Sequence, residues 1–261
     1  MLLLPCRGPG ELPRRLRPRP AHRRPRRPAD PRRRPRPGSP EPAGAARDLL
    51  PEGADLAAAV TGGGREDGQG AEHAPRAFLD ACVLFPPLTR GLLLSAAAEG
   101  LLDPAWSPGV VAEWAHATAR DHGPLAAEAV HREVGLMARR WPTGEAAPTR
   151  EACDALSLPD EDDRHVLAAA LKAGASLLVT ANLRDFPAAK LRDLGLAPIH
   201  PDALLWELAG RAPEAMARAL ANTLRTFPAL QADRAESVRA LKRAGLPRFA
   251  KLLRQGALDA G

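Results

Sequence analysis

The sequence of 261 residues has no tyrosine, only three cysteines and no long apolar run. Cys6, Cys82 and Cys153 are too few and too scattered for a disulfide framework, and no C-x-x-C pair indicates zinc. No segment approaches the ~20 apolar residues of a membrane span. The apolar start, Met1 to Leu4, is shorter than the roughly 7–15 residues of a signal-peptide core. We therefore expect a cytoplasmic protein without membrane contact.

Net charge is also missing from most of the chain. Residues 1–75 contain 15 arginines, no lysine and 9 acidic residues, which leaves 22 basic and 22 acidic residues in 76–261. The whole net charge of +6 therefore comes from the first 75 residues. The pI near 10 does not indicate a generally basic surface on the rest of the chain, where any basic patch must be local.

The first 75 residues are predicted to form a leader and linker without a core. Residues 5–42 consist largely of arginine and proline. The like-charged arginines repel one another, and each proline removes a backbone hydrogen bond, so we expect disorder. Three interpretations stay open: a basic arm that binds phosphates, a targeting peptide, or a translation start placed too far upstream. Residues 43–75 combine a weakly helical piece with a glycine-rich linker.

From residue 76 short apolar runs alternate with helical patterns. The runs typical of buried strands are 77–79, 156–158, 176–179 and 197–200, the last nearer an edge because it contains a proline. The helical patterns are 89–99, 107–122, 125–141 and 160–174, followed by two or three helices over 211–255. Such alternation predicts an α/β fold, a three-layer α/β/α sandwich around a parallel sheet. We place this domain at 76–208 and a helical extension at 209–261.

Acidic residues recur where the strands of such a sheet end. Asp80 directly follows the first strand, and Asp185 follows the strand that ends at Val179. Because the carboxyl ends of parallel strands meet at one edge, these residues are expected to face the same crevice. Asp163 precedes the apolar Val166 and Leu167 by one helical turn and is predicted to point inward. Carboxylates crowded in this way repel unless a divalent cation neutralises them, which predicts a metal site.

Several of these residues also have a simpler interpretation. In this interpretation Asp160 is no more than a helix cap, Asp185 only caps the next helix, and Glu113 is a solvated surface residue. His165 is predicted to pack or to orient a neighbour rather than act as a general base. The four tryptophans are expected in the core, which leaves little for stacking of bases. The basic tail 238–255 has two open interpretations, a solvated face or a surface for a protein or RNA partner.

Three strings carry a resemblance to a known family: FLDACVLFP at 78–86, WSPGVVAEW at 106–114 and LPDEDDRHVLAAALKAGASLLVTANLRDFP at 158–187. They resemble PIN-domain proteins and, more narrowly, the VapC-like ribonuclease toxins of type II toxin–antitoxin pairs, over roughly residues 76–205. The resemblance implies an α/β/α nuclease that uses Mg²⁺ or Mn²⁺ and cleaves single-stranded or structured RNA by in-line attack of water on the phosphodiester. It also implies an antitoxin partner and allows a homodimer.

The resemblance assigns roles to individual residues. The acids carried over as catalytic are Asp80, Glu113, Asp163 and Asp185. The metal ligands carried over are Asp80, Asp160, Asp163 and Asp185, with Thr180 and Asn182 in support. Cys82 occupies a position that is often Asn or Ser in the wider family, so the polar bond made there is expected to be missing.

Two alternatives to the toxin stay open, and a third does not fit the sequence. A PIN nuclease of RNA processing without a toxin role and a catalytically inactive PIN-like binding module both stay open. A phosphatase that forms an aspartyl-phosphate would need a second Asp two residues after Asp80, where Cys82 stands.

Overall fold

The structure, a computed structural model, describes residues 74–258. The expectations for the leader and for most of the linker lie outside these residues. Within the described part, four parallel strands form one sheet in the order β2-β1-β3-β4. The strands are β1 Arg76–Leu79, β2 Asp103–Ala105, β3 Leu177–Val179 and β4 Ala197–Ile199. The predicted parallel sheet is confirmed, with β4 at an edge.

Helices surround this sheet and continue after it. Those of the α/β part are α1 Ala81–Leu84, α2 Pro87–Ala98, α3 Pro108–His122, α4 Pro124–Arg140, α5 Arg150–Asp154, α6 Arg164–Lys172, α7 Ala188–Arg192 and α8 Pro201–Arg211. The C-terminal helices are α9 Pro213–Leu224, α10 Pro228–Ala232, α11 Arg234–Arg243 and α12 Pro247–Arg254. The α/β sandwich with a helical C-terminal region is thus confirmed. In the described residues, no helix combines the length and the apolar character that a membrane span requires.

The register of the sheet determines which residues leave it side by side. The last residues of three neighbouring strands are paired: Leu79, Val179 and Ile199. The next residue of each strand is therefore placed at one edge of the sheet: Asp80, Thr180 and His200. The backbone N–H of Asp80 still donates to the carbonyl of Val179, at 3.1 Å. Strand pairing thus places Asp80, Thr180 and His200 side by side at this edge.

Three predicted elements differ from the structure. Residues 156–158 form no strand, and the strand β2 at 103–105 was not predicted, because Asp-Pro-Ala includes no large apolar residue. A proline is tolerated there because β2 is an edge strand with one pairing partner. The C-terminal tail has four helices in its described part rather than two or three. The helix predicted from 160 begins with a 3₁₀ turn, Glu161–Asp163, and is α-helical only from Arg164.

One buried carboxylate fixes the last helix, α12, to α8, the last helix of the α/β part. Asp202, in the first turn of α8, is 5% exposed. Its Oδ2 accepts from the backbone N–H of Arg248 at 3.1 Å, and its Oδ1 accepts from that of Phe249 at 3.0 Å. These two N–H groups open α12, where the residue before the helix, Leu246, offers no side-chain cap. Asp202 therefore caps α12 from another helix and ties it to the end of β4.

Candidate metal centre

Three aspartates come together beside the carboxyl edge of the sheet. Asp160, Asp163 and Asp185 each present a carboxylate oxygen, and these oxygens all lie within 4.8 Å of one another. Asp163 is buried, whereas Asp160 and Asp185 are half-buried. The inward position predicted for Asp163 is confirmed, and it arises because the 3₁₀ turn places this residue at the start of α6. Three carboxylates at this separation repel one another in the absence of a counterion.

The donor set fits a hard divalent cation. Mg²⁺ and Mn²⁺ prefer oxygen ligands, and all three residues offer carboxylate oxygens. Two oxygens on opposite sides of one Mg²⁺ are about 4.2 Å apart, since each bond is about 2.1 Å long. Among three oxygens around one octahedral ion at least two pairs are adjacent, at about 3.0 Å, so the aspartates would have to draw closer than their present limit of 4.8 Å to share an ion. Half-burial of two of the aspartates leaves the group open to solvent and to a ligand.

The simpler cap interpretations apply to these acids only in part. Asp160 does cap the 3₁₀ turn, because its Oδ1 accepts from the N–H of Asp162 at 3.0 Å. Asp185 does not cap the following helix: Pro187 stands at that cap and no side chain bonds the first turn. Asp185 instead accepts a hydrogen bond from the side-chain amide of Asn182. A capping role therefore accounts for the position of Asp160, which still belongs to the cluster, but it does not account for the position of Asp185.

Asp80 lies outside the cluster of three aspartates and is held by two donors. The Thr180 hydroxyl donates to Oδ2 of Asp80 at 2.8 Å, and the Cys82 thiol donates to the same oxygen at 3.0 Å. The expectation that the bond from residue 82 would be missing is wrong, because a thiol also donates, though weakly. Cys82 further accepts from the N–H of Ala181 at 3.2 Å. The fully buried Asp80 carboxylate is thereby oriented from α1 and from the residue that follows β3.

A line of hydrogen bonds joins Asp80 to the cluster. The Thr180 hydroxyl that donates to Asp80 also accepts from the backbone N–H of Asn182 at 3.0 Å. The side chain of Asn182 then donates to Asp185. Thr180 and Asn182 thus lie between Asp80 and Asp185, where residues that support these two acids would be needed. Their role in binding an ion stays a prediction.

Glu113 forms a buried pair with His165 instead of a place in the cluster. The two side chains meet between Oε1 and Nε2 at 2.7 Å, and each is about 8% exposed. The alternative of a solvated Glu113 is therefore wrong, and His165 orients a neighbour as expected. The His165 ring fits because α3 has Gly109 beneath it, where an added Cβ would lie 2.9 Å from Nδ1. The pair ties α3 to α6, two residues after Asp163.

The structure thus groups the predicted acids into three neighbouring arrangements in the described chain. Asp160, Asp163 and Asp185 converge, Asp80 is connected to them through Thr180 and Asn182, and Glu113 is bonded to His165. The catalytic roles of the four acids stay predictions. The orienting bond from Cys82 was not predicted. The sequence did contain a signal for this bond, because Cys82 stands two residues after Asp80, which directly follows a strand.

Comparison with protein families agrees with this geometry. Residues 76–184 match the family model described as PIN domain. Together with the parallel sheet and its acidic edge, the match supports a PIN-domain protein, of a family whose members are generally metal-dependent nucleases that bind divalent ions through acidic residues. The match covers β1 to β3 and the whole aspartate cluster except Asp185, which follows it by one residue. Neither the curated proteins nor the solved structures gave a match.

Proposed function

We propose that this protein is a divalent-metal-dependent endoribonuclease that acts in the cytoplasm and serves as the toxin of a toxin–antitoxin pair. The observation that carries the nuclease proposal is the convergence of Asp160, Asp163 and Asp185 at the edge of a PIN-type sheet. The toxin role is supported by the resemblance of the strings at 78–86, 106–114 and 158–187 to VapC-like toxins. Its partners would be an RNA substrate and a cognate antitoxin.

The three clustered aspartates would hold the ion, with Asp80 next to them. When bound, Mg²⁺ or Mn²⁺ lowers the pKa of a coordinated water and neutralises negative charge on the reacting phosphate. The protein would contribute four carboxylates, and other residues set the directions of two of them. Thr180 and Cys82 hold Asp80, and Asn182 holds Asp185. Such outer bonds keep the ligand oxygens in place while a substrate exchanges.

The reaction expected at such a site is attack of water in line with the phosphodiester bond. Water as the nucleophile needs no 2′-hydroxyl, so the products would carry a 3′-hydroxyl and a 5′-phosphate. Asp163 has the central place in this proposal, because it is the most deeply buried of the three clustered acids. Removing its charge should lower affinity for the ion and abolish cleavage together.

The experiment compares three full-length proteins freed of any partner: wild type, Asp163→Asn and Asp193→Asn. Asp193 is an exposed residue after α7 and gives the same loss of one charge. Cleavage of a mixed RNA pool is measured with Mg²⁺, with Mn²⁺ and with EDTA, and Mn²⁺ affinity is measured in parallel. We expect Asp163→Asn to lower both RNA cleavage and Mn²⁺ affinity. The loss should exceed the about 10- to 100-fold that is typical when a residue that only orients a ligand is replaced. Asp193→Asn should retain both.

Two results would contradict the proposal. Cleavage that persists in EDTA and in Asp163→Asn would come from a contaminating nuclease. Absence of cleavage by folded wild-type protein with every metal and RNA would favour a PIN-like binding module. Cleavage without any growth arrest on expression, and without a neutralising partner encoded nearby, would retain the nuclease and replace the toxin role with RNA processing.

A further inference from the structure

Trp206 contradicts the expectation that the tryptophans lie in the core. It belongs to α8 and is 46% exposed, whereas every other tryptophan and phenylalanine within residues 74–258 is buried or half-buried. Trp106 and Trp114, by contrast, are almost fully buried. An exposed indole costs free energy because its apolar face contacts water. Such a residue is typical of a surface that is covered by a ligand.

A cationic side chain stands beside this indole. The guanidinium of Arg248, in the first turn of α12, lies 5.8 Å from the centre of the Trp206 ring, near the limit of a cation–π contact. The ring keeps almost half of its surface exposed in spite of this neighbour. An indole flanked by a guanidinium is the pairing with which proteins bind a nucleobase and its phosphate.

The rest of α12 extends the positive charge. Residues 237–258 contain six basic side chains and no acidic one, although the chain from 76 onward is balanced in charge. Arg248 and Lys251 are separated by three positions, so they are neighbours on one exposed side of α12, opposite the buried Phe249 and Leu253. In the described residues neither of them forms an ion pair, whereas Arg243 on α11 is paired with Glu236.

One acidic neighbour reduces this positive field. Glu207 follows Trp206 on α8, and burial raises the pKa of its carboxyl while Arg211 and Arg248 oppose the rise. Two guanidinium groups, those of Arg211 and Arg248, act on this single carboxylate, so the charge around Trp206 remains positive on balance.

This surface is placed next to the acidic edge of the sheet. His200 lies in the same row as Asp80 and Thr180, and Asp202, two residues later, holds the first turn of α12. Neighbouring strands are about 4.8 Å apart, so His200 lies roughly 10 Å from Asp80 across β3. Single-strand binding sites commonly occupy about 4 or more nucleotides. Trp206 follows His200 by six positions, about 9 Å along α8 at 1.5 Å per residue, so one strand of RNA can span the distance from the acids to this surface.

We propose that Trp206, Arg248 and Lys251 form a contact for single-stranded RNA beside the cleavage site. A base stacks on the indole of Trp206, and Arg248 and Lys251 bind the phosphates that flank this base. The inference rests on the proposed nuclease function, because it assigns the substrate's path to the acids. It selects single-stranded RNA, since a duplex keeps its bases stacked inside and offers none to the indole.

The test measures binding separately from cleavage, in EDTA, with the full chain. The probe is a single-stranded RNA oligonucleotide that carries 5-iodouridine, which forms photochemical crosslinks with aromatic side chains. Affinity is measured for wild type, Trp206→Leu, Trp206→Phe and the double variant Arg248→Ala/Lys251→Ala. Arg139→Ala/Arg140→Ala, on the exposed end of α4, is the matched control with the same loss of charge. The arginine-rich leader is common to all these proteins, so differences between them report on the surface.

We expect a crosslink at Trp206 and an affinity about 5- to 150-fold lower in Trp206→Leu, the range that corresponds to loss of one base stack. Trp206→Phe should recover most of this affinity, because a phenyl ring also stacks. In the Arg248→Ala/Lys251→Ala variant the plot of log K against log salt should become less steep. The magnitude of its negative slope should fall by about 1.4, at roughly 0.7 for each lost phosphate contact. The control variant should retain the crosslink at Trp206.

The inference is overturned if Trp206→Leu binds RNA as well as wild type does, or if the crosslinks map elsewhere. A variant that keeps its RNA affinity but loses a copurified protein partner would likewise overturn it, in favour of a protein interface. Failure of the nuclease proposal is a distinct result: no cleavage with any metal, with the Trp206 crosslink intact. Cleavage without the crosslink would retain the nuclease and remove this contact.

Discussion

Replacing Asp202 tests whether one carboxylate fixes the C-terminal helices to the α/β part. Its two oxygens accept from the backbone N–H groups of Arg248 and Phe249, at 3.1 and 3.0 Å. Asp202→Ala removes both acceptors from the start of α12. Asp202→Asn retains one acceptor oxygen and turns a donor toward the second N–H. We therefore expect both substitutions to destabilise the protein, alanine more than asparagine.

The magnitude follows from the surroundings of the two N–H groups. A hydrogen bond to a charged partner contributes about 1.5–3 kcal/mol. Arg248 is exposed, so water can replace part of its lost bond, whereas Phe249 is fully buried and its N–H would stay unsatisfied. We estimate about 2–4 kcal/mol for Asp202→Ala and about 1–2 kcal/mol for Asp202→Asn, from the cost of a lost charged bond and of an unsatisfied buried donor.

Equilibrium denaturation measures the free energy of unfolding of each variant. Asp233→Ala is the matched control, because Asp233 makes the same kind of bonds, to the N–H groups of Ala235 at 2.8 Å and Glu236 at 3.1 Å, but at an exposed helix start. Loss of such a local cap costs about 1 kcal/mol. The reasoning is refuted if Asp202→Ala is no more destabilising than Asp233→Ala, since the buried bonds would then contribute nothing beyond ordinary capping.

Two further predictions concern packing and pH. Gly144→Ala should lower the free energy of unfolding by about 1–3 kcal/mol, because the added Cβ would clash with the buried ring of Trp106. Thermal denaturation measures this effect, with Gly135→Ala as the control, because the Cβ added there would meet only the tip of a side chain at 4.0 Å. Equal effects of the two substitutions would contradict the prediction. Burial lowers the pKa of His200 below its ordinary value, and its Nδ1 accepts from the N–H of Asp202. Its contribution to stability is therefore present above about pH 6.5 and is lost as pH falls through the lower folded pKa. The stability of wild type relative to His200→Asn should decline over that range, and a difference that does not change with pH would count against it.

The sheet was predictable from the sequence where strands are apolar and lie between helical patterns. The runs that became β1, β3 and β4 are short, apolar and bounded by polar or proline residues, which is the pattern of buried parallel strands. β2 was not predictable in this way, because Asp103, Pro104 and Ala105 include no large apolar residue, whereas β4 contains a proline but also Ile199. Pro104 is acceptable because β2 lies at an edge of the sheet.

The clustered part of the site was predictable for a related reason. Asp163 was expected to face inward from the apolar residues one turn later, and Asp185 was expected at the sheet edge from the strand before it. The pair of Glu113 and His165 was not predicted, since 52 positions separate these residues and their contact depends on how α3 packs on α6. Trp206 was placed wrongly because tryptophan is usually buried, and sequence alone does not show which helix face lacks a neighbour.

The segment after β3 contributes most to the arrangement of the site. Thr180 bonds Asp80 of β1, Asn182 bonds both Thr180 and Asp185, and Asp185 lies beside the aspartates that begin α6. Thus one stretch of six residues connects acids from three separate parts of the chain. Because Thr180 is itself paired with β4 through the carbonyl of Ile199, at 3.0 Å, the same stretch is fixed to the strand that leads to α8. Strand pairing therefore holds Asp80, the segment 180–185 and the start of α8 at one edge of the sheet.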